Sequence, residues 1–377
     1  MIFYQVSKKV MICAGETSGE LYGAMLSREI KGLWPDVRIF GIGGSRMKAE
    51  GVTIIAPISH VIGIAEAIRH AWEIISAFKR AKETLITQRP DILVLIDYPD
   101  FNLALAKKAK EAGIPVLYYV SPQVWAWRSG RVKKIASLVN KMAVLFPFEV
   151  DYYKKTGLPC EFVGHPIAEG INVHQSKEEL KKSLGLDPQK KVITLLPGSR
   201  PNEIKRHQAI IKEVAVRINR EFPGMQIIVP LVSGTNIQEH LPDYARVVYG
   251  RTTEAVACSE AAAVTSGTAT LETALSGTPM VVFYKVSPLT FHLVKFLAKI
   301  KFISLVNLLS GKEVVKELLQ EEATPERVFS EIKRILGDPA YRDNMISNLE
   351  KIGNIMQGKR PSVRVAEITG EMAGWSA

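Results

Sequence analysis

The chain of 377 residues carries 49 Lys and Arg against 38 Asp and Glu, a formal charge of +11, with 47% hydrophobic residues. That length accommodates two domains, each with a proper core, and no low-complexity tract argues for disorder. The basic surplus favours an anionic partner; nucleic acid is disfavoured because no arginine-rich run or aromatic RNP-like motif occurs. Cys13, Cys160 and Cys258 lie far apart, with neither metal spacing nor a disulfide framework, so a reducing cytoplasm is expected. The opening MIFYQVSKKVMICAG has no signal-peptide architecture and leads straight into a strand. No run reaches the roughly 18 apolar residues of a spanning helix, so the chain is expected to be soluble or peripheral.

KVMICAG reads as a buried strand that enters the turn GETSGE (15–20) and then a helix over 21–31. RIFGIGG, a helix over 65–87, DILVLID, a helix over 103–112, PVLYYVS and MAVLFPF follow. Apolar runs of this length, alternating with helical segments, predict a parallel, doubly wound sheet. In VLIDYPDFN (94–102) a buried strand ends in Asp97, Asp100 and Asn102 around Pro99. The plain reading is a helix cap supplied by Asp100 or Asn102. The sharper one is an acid at the carboxyl edge of a parallel sheet, where open α/β folds bind ligands.

Around 163–190 the pattern breaks into a linker and a short helix. A second series follows: KVITLLPGSR, a helix over 203–220, MQIIVPLV, ARVVYG, AAAVTSG and PMVVFYK. The expected fold is α/β: two Rossmann-like, doubly wound parallel-sheet domains facing across a cleft. The expected boundaries are 1–170 for an N-terminal domain and 171–350 for a C-terminal one. Residues 351–377 are then a C-terminal helix that packs back on the first domain or on a partner subunit.

Three glycine-rich strand-to-helix turns carry chemistry: GETSGE, LLPGSR with Gly198, Ser199 and Arg200, and TSGTATLE with Ser266, Gly267, Thr268, Thr270 and Glu272. In each, small residues let backbone N–H groups and a helix N-terminus approach an anion. Each alone is equally a turn and a cap; two in the C-terminal half, one with an Arg, favour a diphosphate site. G-x-G-x-x-G after the first strand and G-x-x-x-x-G-K-[ST] are both absent, and GIGGSR (41–46) fails the spacing. No H-E-x-x-H or D-x-D occurs, so no metal and no cofactor are expected. A double Rossmann chain of this kind suggests nucleotide-sugar transfer, with helix dipoles and an Arg facing the departing diphosphate.

GETSGE, IDYPDFN, YYVSPQVWAWRSGRVKKI, LFPFE, FVGHP, LLPGSR, TSGTATLE and SLVNLLSGKEVVKELLQ occur in this order over roughly residues 8–350. This set resembles the bacterial lipid-A-disaccharide synthase family. The resemblance implies an inverting, metal-independent GT-B glycosyltransferase. It would join UDP-2,3-diacylglucosamine to 2,3-diacylglucosamine 1-phosphate (lipid X), giving the β-1,6-linked disaccharide and UDP. Where the family usually reads Gly-Glu-Ala-Ser-Gly-Asp, this chain has Thr17 and Glu20, the latter keeping the charge with one extra methylene.

On that resemblance Asp100 is the expected base for the acceptor hydroxyl, with Asp97 as companion or turn anchor and Asn102 as orienter or cap. Glu16, Ser18 and Gly19 of the first turn join them on the acceptor side. Trp125 and Trp127 either line the acceptor site or belong to the core, and His165 in GHP is a hinge, a cap or a sugar contact. Arg200 is the expected clamp on the leaving diphosphate, helped by Gly198, Ser199, Ser266, Gly267, Thr268 and Thr270. Glu272 is placed to accept the ribose hydroxyls. Asn307, Glu317 and Gln320 match the donor-side block, although by themselves they read as an amphipathic helix and its entry.

Both substrates carry acyl chains, which implies contact with the inner face of the bacterial inner membrane. Residues 61–82 mix Ile68, Trp72, Ile75 and Phe78 with Arg69, Lys79, Arg80 and Lys82, which describes either an interfacial helix or an ordinary amphipathic helix packed on its sheet. Residues 286–305 are a second candidate, and a homodimer is left open. The competing readings are another UDP-sugar transferase or epimerase of the same fold, and a non-catalytic membrane-binding module.

Overall fold

The computed structural model describes residues 7–57, 71–122, 130–171, 175–232, 234–235, 237–286 and 301–376. The chain divides into two compact units, one of Met1–Pro166 with Lys359–Ala377 and the other of Ile167–Gly358. Trp125 and Trp127 lie outside the described residues, as do 61–70 and 287–300 of the two expected membrane segments.

The first unit holds β1 (Lys9–Ala14), β2 (Arg38–Gly43), β3 (Thr53–Pro57), β4 (Ile92–Ile96), β5 (Val116–Tyr119), β6 (Lys141–Val144) and β7 (Cys160–Phe162). They form a parallel sheet in the order β3-β2-β1-β4-β5-β6-β7. Every residue of β4 is 0% exposed, because helices cover both faces and leave no reason for a polar alternation. Each such aliphatic side chain contributes about 1.5–3 kcal/mol on burial.

The chain winds outward from β1 to β3, then returns to place β4 on the other side of β1, with Ala14 opposite Ile96. That reversal is a topological switch point, where the connections leaving the carboxyl ends of two neighbouring strands run to opposite faces of the sheet and leave a crevice.

Helix Pro361–Ala373 belongs to this unit. Its Gly370 leaves room for Trp34, whose ring atoms would stand 2.2 Å from a Cβ there. Arg364 pairs with both oxygens of Glu161 at 2.6 and 3.2 Å, fastening the helix to β7.

The second unit repeats the plan with β8 (Val192–Leu196), β9 (Gln226–Leu231), β10 (Ala245–Tyr249), β11 (Ala261–Thr265), β12 (Met280–Tyr284) and β13 (Lys316–Leu319). Their order is β10-β9-β8-β11-β12-β13, all parallel, with the switch between β8 and β11.

Three expected elements need correction. EVVKELLQ, read as part of an amphipathic helix, contains edge strand β13 paired to β12; pairing overrides the helix preference of Glu, Lys and Leu. The helix expected at 103–112 spans Pro99–Glu111, because a proline at the first helical position has no N–H to lose. The first helix spans Thr17–Leu33, so residues 17–20 of GETSGE lie inside its opening turn.

Candidate active site

In the first unit the switch point brings GETSGE, after β1, beside the turn that follows β4. Asp97 and Tyr98 both stand at φ +48°, two consecutive left-handed residues that reverse the chain into Pro99. Such positions are rare for non-glycine residues and cluster where function over-determines the backbone.

Asn102 explains how the turn is held. Its amide nitrogen reaches the carbonyls of Asp97 at 2.7 Å, Ile96 at 3.2 Å and Cys13 at 3.4 Å. The Tyr118 hydroxyl also donates to the Asp97 carbonyl, at 2.7 Å. Asn102 is 0% exposed, so it is a brace between the ends of β1 and β4; the expected roles of cap or substrate contact do not fit.

Asp100 is different. It is the second residue of its helix, its side chain is 77% exposed, and its carboxylate pairs with Arg131 Nη1 at 2.9 Å. It is not the N-cap, which is Tyr98; it presents a carboxylate to solvent at a helix start. Arg131 opens helix Arg131–Ala136 and was missed in the sequence, where the basic run RSGRVKK was its one signal. Glu16 and Ser18 are half-buried at the neighbouring turn, and Gly19 is buried, packing the first helix against Ile96.

Glu20 turns away from this crevice. It is 7% exposed and its Oε1 accepts the Arg46 N–H at 2.8 Å, satisfying the start of helix Ser45–Ala49. A Cβ on Gly44 would meet that oxygen at 2.4 Å, so Gly44 is required by the longer acid.

His165, 2% exposed, stands edge-on to Tyr22 with centroids 5.8 Å apart and lies 5.6 Å from the Phe146 ring. Burial pushes its pKa down to about 3, so the ring is neutral at physiological pH and offers no charge to a phosphate.

In the second unit the switch point sets PGSR, after β8, beside TSGTATLE, after β11. Ser199 and Arg200 are exposed, as are Gly267 and Thr268 at the start of helix Thr268–Leu275. Two strand ends thus present a cation and a helix N-terminus side by side, the components of an anion site without metal. Among the described residues no three His, Cys, Asp or Glu gather as a metal centre.

Other expected contacts lie below this surface. Thr270 is 0% exposed and its hydroxyl donates to the Gly267 carbonyl at 2.7 Å. Asn307, also 0% exposed, donates to Val315 O and Glu317 Oε1, and accepts from the N–H groups of Val314 and Val315. Glu317 in turn accepts the N–H groups of Ile303 and Ser304 at 2.9 and 3.0 Å. The Ser266 hydroxyl donates to Ile303 O at 3.0 Å, so this network supports the TSGTATLE turn from behind. Direct nucleotide contact does not fit Thr270 or Asn307.

Gln320, at φ +51°, accepts the Val286 N–H at 3.2 Å. Glu272 is half-buried and accepts the Thr253 hydroxyl; burial raises its carboxyl above the usual range.

A family model described as Lipid-A-disaccharide synthetase matches residues 10–362. The chain belongs to the lipid-A-disaccharide synthase family. It is 44% identical over 376 residues to the lipid-A-disaccharide synthase of Geobacter metallireducens, covering 98% of each chain. It is 38% identical over 372 residues to that of Myxococcus xanthus, 97% of each.

Among solved structures it is similar to the kitacinnamycin glycotransferase, with a TM-score of 0.68, 13% identity and coverage of 97% and 99%. The UDP-GlcNAc 2-epimerase from Neisseria meningitidis, bound to UDP-GlcNAc, gives a TM-score of 0.64 at 13% identity, covering 96% of this chain and 100% of its own. These likenesses concern the fold, which is GT-B. As a member of this family the chain is a glycosyltransferase of lipid A biosynthesis.

Proposed function

We propose that the first unit supplies the base and the second the grip on the leaving group for one glycosyl transfer. The reaction condenses UDP-2,3-diacylglucosamine with 2,3-diacylglucosamine 1-phosphate, forming the lipid A disaccharide and UDP. The acceptor 6-hydroxyl attacks the anomeric carbon in line, a new C–O bond forms on the opposite face, and the bond to the diphosphate breaks. Asp100 takes the hydroxyl proton. The negative charge that develops on the departing diphosphate is met by Arg200 and by the N-terminus of helix Thr268–Leu275. The observation that supports this most is the exposed Asp100 carboxylate at one switch point, matched by exposed Arg200 at the other.

Helix Ala71–Gln88 suits a membrane face. Ile74, Ala77, Phe78, Ala81 and Leu85 pack on the core, whereas Trp72 and Ile75 are 82% and 58% exposed on the face that carries Lys79 and Lys82. Apolar anchors beside lysines describe peripheral attachment to an anionic surface, the inner face of the inner membrane. No helix among the described residues is long and apolar enough to cross a membrane.

UDP release, measured with the two acylated glucosamines and with UDP-GlcNAc as control donor, tests the assignment. Release that requires both acylated partners supports it; equal release from UDP-GlcNAc would overturn it.

A further inference from the structure

Glu203 and His207 stand one turn apart on helix Pro201–Glu221 and reach the ends of two different strands. Glu203 Oε1 accepts the Tyr284 hydroxyl at 2.9 Å and Arg200 Nη1 at 3.2 Å. Its Oε2 accepts the backbone N–H groups of Ser199 at 3.3 Å and Arg200 at 3.4 Å. His207 Nε2 accepts the Lys285 N–H at 3.0 Å, so the ring proton sits on Nδ1, which donates to Pro197 O at 2.8 Å. One helical face therefore ties the PGSR turn after β8 to the end of β12 at two points.

The carboxylate lies beneath the guanidinium: the Glu203 side chain is 12% exposed and that of Arg200 44%. Gly198, at φ +124°, is shaped by it, since a Cβ there would lie 3.0 Å from Glu203 Cβ and Oε2. Two turn amides that a phosphate would normally take, those of Ser199 and Arg200, are engaged by Glu203. What remains for an anion is the guanidinium, held from below by a carboxylate that is itself anchored by Tyr284.

We propose that Glu203, braced by Tyr284, is the positioning residue that aims Arg200 at the diphosphate. The inference rests on the reading of Arg200 as the diphosphate clamp. Recognition at this turn then resides in a pre-oriented cation and hardly at all in the turn's own N–H groups. Pre-orientation removes the rotamer freedom that a free Arg would lose on binding.

The test is UDP and uridine affinity of the full chain by calorimetry and competition, for Glu203→Asp, Arg200→Ala and the double variant. Asp keeps the charge but is one methylene too short to hold Tyr284, Arg200 and the turn together. Glu203→Asp should weaken UDP about tenfold, leave uridine unchanged, and add nothing on top of Arg200→Ala. Equal losses for UDP and uridine, or full additivity, would mean a merely structural cap and overturn the inference. If Arg200→Ala loosens UDP while Glu203→Asp does not, the inference falls and the clamp stands. If Arg200→Ala binds UDP normally, both fall. Tyr284→Phe, a single-atom deletion, decides the question should Glu203→Asp not fold: UDP should loosen about threefold with uridine unchanged, and an unaltered UDP affinity rejects the brace.

Discussion

The ring of Tyr98 occupies the space that a side chain on Gly15 would need: a Cβ there would stand 2.1 Å from Tyr98 Cγ. The first residue of GETSGE is thus bound sterically to the left-handed turn after β4, and Tyr98 in turn stacks on Phe101 with centroids 5.3 Å apart. Gly15→Ala should lower stability by about 1–3 kcal/mol through overpacking and cut turnover as the turn shifts. In a Tyr98→Gly background, which removes the ring and the Cβ together, the added methyl has room, so the extra cost should largely vanish in a denaturation cycle. Equal costs in both backgrounds would show that the two turns are independent.

Asp100→Asn should lower kcat by about 10²–10⁴-fold, the usual cost of removing a general base, and leave UDP affinity near wild type. The Asp100 side chain is 77% exposed and Asn preserves its shape, so circular dichroism should be unchanged. Retention of more than about a tenth of wild-type kcat would assign the proton to another group.

Arg200→Ala should weaken UDP binding and turnover together, because the charge faces phosphate in both the ground and transition states. EDTA or added Mg²⁺ should change wild-type rates little. Inhibition by EDTA that Mg²⁺ reverses would sink the metal-independent mechanism.

How far the residues alone reach can be judged from these sites. The strand-end turns were legible because buried parallel strands read as apolar runs and their glycines mark the turns. Switch-point adjacency was not, because strand order is set by pairing between segments distant in the chain. Asn102 reads in the sequence as an orienter or a cap; only the bonds to Cys13 and Ile96 reveal a brace. Glu203 and Tyr284 are 81 positions apart, and no local pattern announces that they meet. Glu317 looked helical because Glu, Lys and Leu favour helices, while the edge of a sheet claimed it.

His165 predicts a pH dependence of stability. In the unfolded chain an imidazole titrates near 6.5, whereas the buried ring titrates at about 3. Between those values the unfolded state binds a proton that the folded state refuses, so stability is full above pH 6.5 and falls as pH drops. The slope from this residue is about 1.4 kcal/mol per pH unit. Burial lowers His207 too, with the same sign. Urea midpoints between pH 7 and 5 should fall for the wild type, and His165→Gln should show a shallower decline. A parallel decline in the variant would place the acid sensitivity elsewhere.

Attachment to membranes should follow the outer face of helix Ala71–Gln88. Trp72 and Ile75 are exposed, whereas Ala81 and Leu85 of the same helix are 0% exposed, so the two faces can be changed separately. Each Lys or Arg near an anionic surface contributes about 1 kcal/mol and is screened within a Debye length, so binding to phosphatidylglycerol vesicles should weaken in high salt. The apolar part should survive salt and yield to detergent. Trp72→Ser with Ile75→Ser should keep the wild-type melting temperature, sediment less with vesicles, and lose activity chiefly on vesicle-borne substrate. Activity in detergent micelles should be spared, because both side chains are exposed and neither belongs to the buried core. If the double variant binds vesicles as the wild type does, the lipid contact belongs to another surface, and residues 286–305 are the next to change.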